Sequence, residues 1–260
     1  MRSLLLSALL ASTALAGAAH ASSFVGNYGT LGADGVVTAP PSGPNYGFVS
    51  TDGGVVGAGT IASVGNKDPD DPSTNTAGSS FQSDPFAAGV GDSLRFFFNY
   101  VTSDGSGFAD YGWAQLRRAG DDSHVAWLFT GRTQPSGDIA PGFGLPALDA
   151  TLTPATSPII AGAPIWSPLG DSSDDCFAAG CGYTGWIEST YNILVADTYT
   201  LNFGVTNWND NGFHSGLAFA GARIGDTQID VGDNPIPAPA SLAVMGVGLL
   251  GLALRRRRRA

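Results

Sequence analysis

Along residues 22 to 233, large apolar residues alternate with small or polar ones over short stretches, and no run keeps the i, i+3, i+4, i+7 spacing of an amphipathic helix. In Tyr199-Thr200-Leu201-Asn202-Phe203-Gly204-Val205 every second residue is large and apolar, which is the pattern of a strand with one wet face. Runs rich in β-branched and aromatic residues predict strands at Tyr46–Thr51, Leu94–Val101, Tyr111–Arg117, His124–Thr130, Gly185–Val195, Tyr199–Thr206 and Leu217–Ile224. Clusters such as Asp52-Gly53-Gly54, Ser103-Asp104-Gly105-Ser106-Gly107 and Asn209-Asp210-Asn211-Gly212 mark turns between them. Gly or Pro interrupts nearly every window of helical length. A series of strands without intervening helices predicts an all-β chain folded as an antiparallel β-sandwich of jelly-roll type.

The pattern changes at both ends. Met1-Arg2-Ser3 is followed by an Ala/Leu-rich run from Leu4 to Ala19 and the small-x-small triplet Ala19-His20-Ala21. This order of charged start, short apolar stretch and cleavage site predicts a signal peptide over 1–21, cut by signal peptidase between Ala21 and Ser22. At the other end, Asn234-Pro235-Ile236-Pro237-Ala238-Pro239-Ala240-Ser241 breaks regular structure, Leu242 to Leu254 is apolar or Gly, and Arg255, Arg256, Arg257, Arg258 and Arg259 form a basic block. The apolar segment predicts a short C-terminal helix. It is shorter than the roughly 20 residues that span a bilayer comfortably, which suits a transient inner-membrane anchor with the arginines held on the cytoplasmic side.

These residues resemble the PEP-CTERM sorting tail of Gram-negative bacteria: a Pro motif at Pro237-Ala238-Pro239, a Gly/Leu-rich helix and terminal arginines, in that order. Ala238 stands where the usual motif has Glu. The resemblance implies cleavage near the Pro motif by an exosortase-type sorting protease, then delivery to the cell surface or the exopolysaccharide matrix. The domain plan is therefore 1–21 signal peptide, 22–233 β-sandwich and 234–260 sorting tail. Within the body, Phe81 to Val101 and Ala196 to Val205 resemble strands of secreted jelly-roll modules.

Composition narrows the function. With 37 Gly, 16 Pro and only 13% charged residues, a long-helix protein is excluded. The terminal segments hold half of the 12 basic residues, so residues 22 to 236 carry six bases against 22 acids, a net charge of −16. Such a body repels nucleic acid and anionic lipid, and no nucleic-acid partner is expected. Cys176 and Cys181, the only cysteines, read as one disulfide in an exported chain. Structural calcium is the one cofactor expectation. Its candidate donors are Asp68, Asp70 and Asp71 in one acidic loop and Asp171, Asp174 and Asp175 in another, because Ca²⁺ takes six to eight oxygen donors in flexible geometry.

Catalytic patterns are sparse. Gly91-Asp92-Ser93-Leu94 looks like the nucleophile block of GDSL-type lipases and esterases, and Asp121-Asp122-Ser123-His124 has the Asp-x-x-His spacing of the other triad members. In that family the Ser opens into a helix on an α/β scaffold, whereas Ser93 leads into the strand-like Arg95-Phe96-Phe97-Phe98. Glu188 is the body's single Glu, and a glycosidase needs two facing carboxylates. His214 sits in a loop and reads as a surface or capping residue. Trp208 and Phe213, in or beside loops with Trp186 and Tyr191, are candidates to stack on sugar rings. The expectation is a non-enzymatic exported surface or extracellular-matrix protein that binds polysaccharide, with no catalytic residue. The alternative is a secreted carbohydrate-active or ester hydrolase.

Overall fold

The computed structural model describes residues 22–65 and 76–233. The expected signal segment with Ala19 and Ala21, the calcium candidates Asp68, Asp70 and Asp71, and the whole sorting tail lie outside the described residues.

Eight principal strands follow one another in the chain: Tyr46–Ser50, Ala77–Gln82, Ser93–Thr102, Tyr111–Arg118, His124–Arg132, Ile187–Asn192, Asp197–Thr206 and Ser215–Ile224. One sheet places them in the order first, eighth, third, sixth, and the other in the order second, seventh, fourth, fifth. Every pairing among them is antiparallel. Two four-stranded sheets in this interleaved order are a jelly roll, as the strand pattern predicts. Asn27–Leu31 and Thr151–Thr153 extend the first sheet at its two edges, and Ser23–Val25 extends the second.

The alternation read from the sequence is realised in the space between the sheets. Leu94, Phe96, Phe98 and Tyr100 from the first sheet meet Leu116, Leu128, Phe129, Leu201 and Phe203 from the second, all buried. Phe203 and Phe219 stack face to face across the gap at 4.0 Å between ring centroids, and Phe96 meets Phe203 edge-on at 5.3 Å. Burying each such ring stabilises the fold by about 1.5–3 kcal/mol, so this layer dominates the stability of the sandwich. Tyr191, expected beside a loop, is a core residue of the sixth strand. Trp186 is half-buried and donates its indole N–H to Thr38 O at 2.9 Å. The expected strand over Gly185–Val195 is shorter, Ile187–Asn192.

Ala77–Gln82 is a principal strand that the hydrophobic pattern does not predict. Its small residues have a packing reason: a Cβ on Gly78 would meet Ala58 O at 2.2 Å and Val205 O at 2.5 Å, so only the smallest residue fits between the neighbouring strand and the 57–65 loop. Ser79 replaces apolar packing with hydrogen bonds, donating to Ser50 O at 2.6 Å and accepting from Asn27 N at 2.8 Å.

Each sheet also has an outer face, and each is partly covered. On the second sheet Tyr111 and Trp113 pack with Ile61, and Trp113 donates to Gly59 O at 2.7 Å. On the first, Val37, Trp166 and Leu169 cover Tyr46, Phe48, Val101, Ala218 and Ala220. Trp166 donates to Tyr46 Oη at 2.9 Å. The rest of that outer face, around Arg95 and Arg223, forms an open cleft.

Candidate functional site

The jelly-roll order brings four connections to one end of the sandwich: the described part of the first, 51–65, with 103–110, 133–186 and 207–214. Backbone bonds tie them together, with Thr51 N donating to Ser215 O, Ser103 N to His214 O, Thr133 N to Asp110 O and Asn207 N to Ala77 O, all between 2.9 and 3.0 Å. Loops held on a rigid scaffold are where binding residues concentrate.

Beneath these loops lies a buried polar layer. Asp110 is fully buried; its carboxylate accepts from Ser215 Oγ at 2.6 Å and from Trp208 N at 2.7 Å. Ser215 Oγ also lies 2.8 Å from Thr102 Oγ1, Thr102 lies 3.2 Å from Thr133 Oγ1, and Thr133 lies 2.9 Å from Tyr100 Oη. Asp104, 2% exposed, accepts from Gly105 N at 2.7 Å. Burial pushes the carboxyls of both Asp104 and Asp110 upward; the charge of Asp104 raises Asp110 further, and that of Asp210 raises Asp104. Among the described residues no Lys or Arg pairs with either carboxylate. The Asp110–Ser215 pair is sealed from solvent, so it organises the loops and cannot reach a substrate.

Above this layer the loops carry an aromatic rim. Phe177, 47% exposed, meets Phe108 edge-on at 5.1 Å and Phe213 at 5.2 Å, joining three of the four connections. The Cys176–Cys181 disulfide closes the loop that presents Phe177, and Phe177 N donates to Ser103 O at 3.0 Å. Phe213, half-buried, is part of this rim. Trp208, equally half-buried, packs apart from it: its ring lies 4.5 Å from the guanidinium of Arg132, which also lies over Phe143 at 5.0 Å and Tyr111 at 5.7 Å. Phe177 carried a signal the sequence reading passed over, since an aromatic between two bridged cysteines has little freedom to fold away.

The other nominated residues fall apart in space. Ser93 opens the third strand opposite Asn192 in the first sheet, while His124 opens the edge strand of the second. Asp121 accepts from Ser123 N at 3.0 Å, and His124 Nδ1 lies 3.1 Å from Gln115 Oε1. No hydrogen bond links any two of Ser93, Asp121 and His124. Glu188 faces outward from its strand, opposite Phe97. His214 lies at the loop end, 3.3 Å from Thr51 Oγ1 and 3.7 Å from Asp52 Oδ1; burial lowers its pKa more than Asp52 raises it, so the ring is mainly neutral at pH 7. Asp171, Asp174 and Asp175 are exposed, and no group of three or more His, Cys, Asp or Glu among the described residues could hold a metal ion.

The loop end carries an aromatic rim, and the functional assignment turns on the tail. Residues 235–258 match the family model of the PEP-CTERM protein-sorting motif. The chain carries a PEP-CTERM sorting tail. A PEP-CTERM tail implies an exported, surface-directed protein processed by exosortase-type sorting machinery. Ala238 lies inside the matched span. Among the described residues no helix is long and apolar enough to cross a membrane. No curated protein and no solved structure matches the chain.

Proposed function

We propose that this protein is a non-enzymatic surface or extracellular-matrix component that is anchored as an inner-membrane precursor, released by exosortase-type cleavage, and binds polysaccharide through the loop end of its jelly roll. The observation that carries this reading is the pairing of a PEP-CTERM tail over 235–258 with an aromatic rim that stays open to solvent at Phe177. Aromatic faces at the mouth of a rigid sandwich suit the apolar faces of sugar rings, and the polar side chains around them suit the hydroxyls.

The test is a glycan array probed with the exported protein and with its Phe177→Ala/Phe213→Ala variant. The reading expects binding to at least one polysaccharide class and its loss in the variant. Turnover of ester or glycoside substrates by the wild type would replace it with the hydrolase reading.

A further inference from the structure

The open half of the first sheet's outer face holds a cleft of about 360 Å³ whose walls include Ser42, Arg95, Phe97, Glu188, Arg223 and Gln228. Strand register arranges these side chains as a grid. In one row Thr190 opposes Arg95, Arg95 opposes Arg223, and Arg223 opposes Gln228. In the next row Glu188 opposes Phe97 and Phe97 opposes Ala220. Like charges directly opposite each other on one sheet face destabilise it, so the Arg95–Arg223 pair costs the fold stability.

The pair also requires a backbone irregularity. Phe219 and Ala222 both enter the inter-sheet core although they are three residues apart, because the register slips between Ala220 and Arg223. An unbroken strand would put Arg223 on the same face as Phe219, inside the core. The slip turns Arg223 outward, beside Arg95. Gly221 sits in it with φ +65°, where a Cβ would meet Ser42 Cβ at 2.3 Å, so the bulge is fitted to the loop that walls the cleft.

The other described arginines are spoken for. Arg117 pairs with Asp122 at 2.8 Å and Arg118 with Asp197 at 3.1 Å, while Arg132 is packed over aromatic rings. Arg95 and Arg223 have no carboxylate within ion-pair distance among the described residues, in a body with a net charge of −16. Two adjacent unpaired guanidinium groups in so acidic a protein form a site for an oxyanion, and the planar fork of Arg matches a carboxylate with two parallel hydrogen bonds. Glu188 and Gln228 supply acceptors for hydroxyl groups, and the half-buried Phe97 supplies an apolar floor.

We infer that this cleft binds a carboxylate-bearing saccharide unit of the uronate class, the carboxylate held by Arg95 and Arg223 and the hydroxyls by Glu188 and Gln228. The inference rests on the polysaccharide-binding reading but uses a surface separate from the aromatic rim. It is tested by calorimetric titration of the exported protein with an oligogalacturonate, a neutral glucan oligosaccharide of equal length, and inorganic phosphate. The oligogalacturonate should bind and the other two should not, with affinity falling as salt rises. Arg95→Gln and Arg223→Gln should each weaken it about tenfold or more, with melting temperature unchanged or raised, while Phe177→Ala leaves it intact. Binding that these variants do not change, or no binding at all, overturns the inference. Equal binding of phosphate reduces the cleft to a simple anion site and overturns the saccharide assignment. Loss of glycan binding in the Phe177 variant alone would uphold the rim and reject the cleft.

Discussion

The buried layer around Asp110 and the open cleft around Arg95 both collect polar groups on the same scaffold, but they treat them in opposite ways. Asp110 is sealed, and both of its oxygens accept hydrogen bonds from the chain's own Ser215 and Trp208. Arg95 and Arg223 face solvent side by side with no carboxylate partner among the described residues. A buried polar group must be satisfied internally or it costs stability, so the first arrangement explains itself as architecture. Two like charges placed in register on a sheet have no such internal explanation. The difference teaches where to look for a ligand: at polar groups the fold leaves unsatisfied, not at those it has already used.

That contrast can be broken first at its buried side. Asp110→Ala should lower stability by about 3 kcal/mol, because it strands the Trp208 N–H in a dry environment and leaves the Ser215 hydroxyl only Thr102 as a partner; chemical denaturation measures it, and a loss under 1 kcal/mol would mean that water already reaches the layer. Opening the disulfide that closes the Phe177 loop, with Cys176→Ser/Cys181→Ser, should cost less, about 2 kcal/mol for so short a ring. A variant that keeps its melting temperature would show that the loop is held by its backbone bonds alone.

Protonation sharpens the comparison further. Burial raises the folded-state pKa of Asp110 and Asp104, so the folded state holds protons that the unfolded chain releases near pH 4. Their contribution to stability is therefore fully present below about pH 4 and is lost as pH rises through the raised folded values. Relative to Asp110→Asn, which keeps a neutral hydrogen-bonding group, the wild type should lose stability between about pH 4 and neutrality. Parallel pH profiles for the two proteins would mean that Asp110 is ionised in the fold. The smallest effect belongs to the cleft: Arg95→Gln should leave stability unchanged or raise it by a few tenths of a kcal/mol, and a clear loss would reveal a structural role for the arginine.

The long strands were legible because their apolar period of two is set by a core that lies on one side, as in Tyr199 to Val205. Ala77–Gln82 was not, since Gly78 and Ser79 answer to a close backbone approach and to hydrogen bonds, not to hydrophobic burial. The turn-rich setting of Phe213 is visible in sequence, whereas nothing near Trp208 in sequence announces Arg132 above its ring. The Arg95–Arg223 pair escaped sequence reading for a similar reason. Only the pairing of the third and eighth strands, and a bulge at Gly221, brings the two together. The sorting motif was readable because its signal lies in local order: Pro motif, apolar segment, arginines.

The account as a whole depends on that tail being removed from a protein that leaves the cell. Intact-mass spectrometry of the surface or extracellular form tests it most directly. The predicted species begins at Ser22, carries the Cys176–Cys181 bridge, and ends between Pro237 and Ser241 without the arginine block. Full-length protein retaining Arg255 to Arg259 in that fraction would contradict processing at the tail, and with it the assignment of this chain as a sorted surface protein.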